Sequence, residues 1–140
     1  MKRFKHLRGD PHYIALGMAI GVLIGVTPTF PFHTALALAL ATMFRGSRRA
    51  ALLGIWFGNP FTMPLFYFAS YKAGMLMLGI SLPPLSMQQL SLPELLNTGL
   101  DVACATVAGG FAIGILPGIA AYFITRRMVS AFHSYKNSRA

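Results

Sequence analysis

Few side chains in this 140-residue chain can bind or titrate, and the most suggestive lie inside an apolar stretch, residues 54 to 74. There, Asn59, Pro60, Thr62 and Pro64 interrupt a run rich in Phe, Leu and Tyr, and Lys72 follows as the only charge between residues 50 and 93. Proline removes an amide donor and breaks the helix, so a Pro-broken apolar segment releases backbone groups that protein or enclosed water must satisfy. Asn59, Thr62 and Lys72, joined by His33 beside Pro28 and Pro31, are therefore the candidate substrate-binding residues. The ligand they suit is a phosphate-bearing headgroup or an ion at a midplane site. The structural alternative is plainer: Asn59 caps the broken helix, Lys72 snorkels to an interface, and His33 hydrogen-bonds within its turn.

Catalysis is not expected. The acidic residues are Asp10, Glu94 and Asp101, all outside the long apolar runs, so no acid–base pair stands near a buried polar centre. No nucleophile elbow, phosphate-binding glycine loop or His-rich metal spacing is present. We expect no catalytic residues, no metal and no cofactor. The single Cys104 lies in an apolar run and reads as a small helix-packing residue.

The elements that must position these residues belong to one domain. The chain is 55% hydrophobic and 11% charged, against about 25% charged for soluble domains. No Asp, Glu, Lys or Arg occurs in residues 11–44, 50–71, 73–93 or 102–125. Spans of about 20 apolar residues belong in a bilayer, so an integral membrane protein is expected. The net charge of +9 gathers around the apolar runs, in Lys2, Arg3, Lys5 and Arg8, in Arg45, Arg48 and Arg49, and in Arg126, Arg127, Lys136 and Arg139. Basic flanks mark the cytoplasmic side and attract anionic headgroups. Without a basic helix face carrying aromatics, nucleic acid is not an expected partner.

Residues 1–10 read as a basic cytoplasmic lead-in, 11–125 as a single membrane domain and 126–140 as a basic cytoplasmic tail. The basic start is followed by too long an apolar region for a cleaved signal peptide. Asp10 and Pro11 should open a first helix over 11–26. Pro28 and Pro31 should turn it into a second helix from Thr34 to Phe44, only about 16 Å long at 1.5 Å per residue. That suggests a re-entrant hairpin, with two short tilted spans as the alternative. A short helix over Ala50 to Gly58, a break at Pro60 and Pro64, and a helix from Pro64 to Gly79 repeat the pattern. A loop, a short interfacial helix from Ser91 and a final helix over 102–125, N-capped by Asp101 and kinked at Pro117, complete an all-α fold.

Glycines recur four apart: Gly17, Gly21 and Gly25; Gly54 and Gly58; Gly110, Gly114 and Gly118. Such spacing lets helix backbones approach closely, the main route to helix association in lipid. Each series runs to a nearby proline, so the first two units read as Pro-broken, re-entrant-like hairpins.

Taken together, residues 21–30, 48–54, the Asn59-Pro60-Phe61-Thr62-Met63-Pro64 core and residues 71–74 resemble the bacterial domain-of-unknown-function family 2062, over roughly residues 10–125. Pro31 and His33 depart from the Gly and Gln expected in the first turn, which transfers any polar role there to His33. The resemblance implies a small inner-membrane protein, in some relatives joined to a glycosyltransferase domain, and supplies no activity.

The expected function is a transport or lipid-handling module for a phosphate-bearing lipid carrier of envelope glycan synthesis. The alternative is a scaffold that positions an envelope enzyme. The expected setting is the bacterial cytoplasmic membrane, multi-pass with both termini cytoplasmic. Expected partners are anionic lipid, a glycosyltransferase and further copies of the chain. A transporter requires Asn59, Thr62 or Lys72 to line an accessible cavity; a scaffold fixes them in packing.

Overall fold

The structure is a computed structural model that describes residues 9–29, 32–59, 61–79, 81 and 92–138, with side chains from residue 99 onward in the last stretch. Pro31, Pro60 and Ser91, the basic residues of 1–8 and Arg139 lie outside the described residues. Those described form five α-helices and no strand: α1 Pro11–Val26, α2 His33–Met43, α3 Arg48–Ile55, α4 Met63–Leu78 and α5 Leu92–Asn137.

Local chemistry sets most boundaries. Asp10 caps α1 by accepting the His12 backbone N–H at 3.0 Å, and Pro11 occupies a position that needs no donor. At the other end both the amide and the hydroxyl of Thr27 donate to the Leu23 carbonyl, just before Pro28. α2 closes in a Schellman motif, with Gly46 N–H on the Ala41 carbonyl and Arg45 N–H on that of Thr42. Arg45, not Gly46, takes the left-handed position (φ 56°). Gly46 is needed elsewhere, because a Cβ there would stand 3.0 Å from the Gly17 amide nitrogen. Ser47 then caps α3 and donates its own N–H to the Tyr13 carbonyl, tying α3 to the start of α1.

The helices touch through three small-residue seams. Gly17, Gly21 and Gly25 of α1 meet Ser47, Ala51 and Ile55 in ascending order, so α1 and α3 run parallel; Gly54 and Gly58 reciprocate against Gly21 and Gly25. Gly110, Gly114 and Gly118 of α5 meet Thr27, Leu23 and Ala19 in descending order, so α5 is antiparallel to α1. Gly74 lies on Ala105 and Gly109 on Ser70, setting α4 antiparallel to α5 as well. A methyl at Gly17, Gly21, Gly58, Gly74 or Gly109 would overlap a backbone carbonyl oxygen of the facing helix. Each of the three glycine series faces a neighbouring helix or the turn at its end. The side-chain core is small: Ile20 and Ile24 with Ala37, Ala41, Ala51 and Ile55 join α1, α2 and α3.

Two expectations are corrected. The first broken unit is a hairpin, since α2 returns the chain to Gly17 and Tyr13 at the start of α1. The second is not: α4 packs along α5 instead of folding back on α3, and the seams give α1, α3 and α4 one sense. Glycines on two faces of α5 decide this, offering closer contact than α3 has free once α1 covers Gly54. The second correction concerns α5, a single helix of 46 residues where a short connector, a capped start at Asp101 and a polar tail were expected. Asp101 is an exposed residue inside α5, and Pro117 lies within the same helix. Of the five, only α5, over Gly99–Asn137, is long and apolar enough to span a membrane, and 28% of its most apolar window is buried.

Candidate functional site

The second break is a closed hydrogen-bonded turn. Asn59 Oδ1 accepts the backbone N–H of Phe61 at 2.9 Å and of Thr62 at 3.1 Å, an Asx arrangement that starts α4. The Thr62 hydroxyl is within 3.1 Å of both the Phe57 and the Asn59 carbonyl oxygens. The Asn59 carbonyl also accepts from Met63 N–H. Asn59 Oδ1 and the Thr62 hydroxyl are thus engaged in the hydrogen bonds of this turn. Pro64 stands in the first turn of α4.

Lys72 departs from the interior placement considered for it. It is exposed on α4, with its ammonium 5.3 Å from the Phe68 ring centre, one turn back. His33 is half-buried as the first residue of α2. The four candidates do not converge on one centre. Beside the first turn, Thr29, Phe32, Ala35, Leu36 and Ala39 line an open apolar recess of about 510 Å³.

A second recess lies between α1 and α5, about 460 Å³, with Leu16, Ile20, Leu23, Ile115, Ile119 and Phe123 among its walls. At one end, His12 Nδ1 and the Tyr122 hydroxyl are hydrogen-bonded at 2.6 Å, their rings edge to face. Sequence reasoning missed this pair because 110 residues separate its members. A signal existed: His12, Leu16, Ala19 and Leu23 share the spacing of Ile115, Ile119, Tyr122 and Arg126, two apolar stripes each carrying a polar end.

The charges are one-sided. Arg48 and Arg49 begin α3, beside Gly17 and the first turn of α1; Arg126 and Arg127 follow Tyr122, the partner of His12. A Cβ on Gly9 would lie 3.9 Å from His133, so the C-terminal part of α5 runs past the start of α1. Among the described basic residues, Lys72 alone is away from this end. Large apolar side chains meanwhile face outward, with Trp56 82%, Phe61 94%, Leu76 86% and Leu116 75% exposed.

This arrangement defines a class: an all-helical bundle held by glycine seams, apolar outside and basic at one end. The chain belongs to the bacterial family described as "Uncharacterized protein conserved in bacteria (DUF2062)", whose model matches residues 1–138. No curated protein and no solved structure matches it.

Proposed function

We propose that this is a non-catalytic, integral protein of the bacterial cytoplasmic membrane that handles phosphate-bearing lipid at its basic end. The carrying observation is the inverted distribution of side-chain size. Gly, Ala and a few Ile and Val fill the contacts between helices, while Trp56, Phe61, Leu76, Leu116 and other large side chains point away from them. Water disfavours such a surface, since soluble monomers expose apolar patches of at most a few hundred Å². Lipid favours it, because helix association there depends on close backbone approach. Low burial of the most apolar part of α5 supports the same reading, as a soluble core helix would be covered.

The grouped arginines support cytoplasmic placement of that end, with both termini on one side. Anionic headgroups are the ligand class that such a rim attracts. A glycan lipid carrier is the candidate that the fused glycosyltransferase domain of some relatives implies. The exposed apolar faces of α4 and α5 are open to lipid and to further copies of the chain. A scaffold reading is favoured by one observation, the commitment of Asn59 and Thr62 to a fixed turn.

The test is carbonate extraction of membranes, with reporter fusions at each end and mass spectrometry of lipids retained after detergent purification. Resistance to carbonate, cytoplasmic reporters and enrichment of anionic, phosphate-bearing lipid over zwitterionic phospholipid are expected. Release by carbonate would overturn the membrane reading. Retention without lipid enrichment would favour the scaffold.

A further inference from the structure

The recess between α1 and α5 is lined along its length by apolar side chains and at one end by the His12–Tyr122 pair. Its volume of about 460 Å³ falls in the range of small-molecule sites. Gly118, where a Cβ would stand 3.4 Å from the Ala19 carbonyl oxygen, keeps the floor low. Leu16, Ile20, Leu23, Ile115 and Ile119 run from the His12–Tyr122 pair toward the middle of the bundle. Arg126 lies one helical turn beyond Tyr122 on the same face of α5 and is exposed. The nearest acid, Asp10, has its Oδ1 engaged by the His12 backbone N–H.

We propose that this groove holds one hydrocarbon chain of a phospholipid of net negative charge, whose headgroup phosphate meets Tyr122, His12 and Arg126. The proposal rests on the membrane reading above and assigns its lipid a site. Charge complementarity selects the occupant. A neutral chain or an apolar helix would fill the walls equally well but would leave the polar end and Arg126 without a counterpart. The geometry also sets direction, since a headgroup at the basic end lies where cytoplasmic-leaflet phosphates are. The pair can serve as a donor relay. With a proton on Nδ1, the His12 ring donates to the phenol oxygen and the Tyr122 O–H is released to donate to a phosphate oxygen, beside the Arg126 guanidinium.

The experiment uses a single-tryptophan reporter in the full chain. Trp56 is the chain's sole tryptophan, so Trp56→Phe with Phe123→Trp places the fluorophore in the groove wall. The protein is reconstituted in phosphatidylcholine containing acyl-brominated phosphatidylglycerol or, separately, acyl-brominated phosphatidylcholine. Half-maximal quenching is expected at about tenfold lower mole fraction of the anionic lipid, the scale of one charge-assisted hydrogen bond. Arg126→Gln should abolish that preference, Arg127→Gln should retain it, and Gly118→Leu should weaken quenching by both lipids. Circular dichroism verifies that each variant is folded. Equal quenching by the two lipids, a preference untouched by Arg126→Gln, or a reporter shielded from both by a second copy would each overturn the proposal. Enrichment of anionic lipid on the purified protein separates the two levels. If it persists while the groove shows no preference, the site is wrong and the proposed function stands; if it too is missing, the lipid-handling reading falls as well.

Discussion

Two glycine-to-alanine substitutions in helices should move stability in opposite directions. At Gly99, in α5, a Cβ meets nothing within 4 Å among the described residues, so only helix propensity changes. Replacing a helical glycine by alanine gains about 1 kcal/mol. At Gly21 the same gain is opposed by the α1–α3 seam. A Cβ there would overlap the Ala51 carbonyl oxygen and stand 2.8 and 2.9 Å from its carbonyl carbon and Cα. These are backbone atoms, so no rotamer change relieves them and the helices must separate toward ordinary contact. Separation also loosens Gly17, Gly25, Gly54 and Gly58, which share the seam. Overpacking of this kind costs about 1–3 kcal/mol, and movement of two whole helices places Gly21→Ala near the top of that range. After the propensity gain, a net loss of about 2 kcal/mol is expected. Equilibrium unfolding in mixed micelles, followed by circular dichroism, should show a folded-to-unfolded ratio more than tenfold lower for Gly21→Ala and about fivefold higher for Gly99→Ala. Equal stabilisation by both would refute the close crossing of α1 and α3.

Asn59→Ala removes the acceptor of two backbone N–H groups and should cost about 1 kcal/mol, as for other helix caps. Combined with Thr62→Val, the losses should be less than additive, while the anionic-lipid preference of the groove stays unchanged; loss of lipid binding would restore a ligand role to this turn. Ser70 is fully buried at the α4–α5 seam, and its hydroxyl has no hydrogen-bond partner among the described residues. Ser70→Ala should therefore raise stability by about 1 kcal/mol, because it removes an unsatisfied buried group; a loss of similar size in the same unfolding measurement would show that the hydroxyl is satisfied.

Much of the local structure was legible because its causes are local. The cap at Asp10, the breaks at Pro28 and Pro64 and the end of α4 at Gly79 each depend on a few adjacent residues. The glycine series identified packing faces, since a missing Cβ has the same meaning wherever the partner lies. The candidate site was read less well. Polar residues in an apolar run suggested a ligand, yet Asn59 and Thr62 are occupied by the turn that their neighbouring prolines create.

The sequence alone determined an all-helical chain, its helix breaks, its glycine faces and the segregation of its charges. Composition, dihedral limits and periodicity along the chain were sufficient for these. Only the tertiary structure decided which glycine face meets which helix. Gly109 and Gly110 are neighbours in sequence, but a helix turns about 100° per residue, which sends one to α4 and the other to α1. From that divergence come the sense of α4, the grouping of Arg48, Arg49, Arg126 and Arg127, and the meeting of His12 with Tyr122. Their distance in sequence hides the pair, because no local rule measures how far apart two helix faces finish in space.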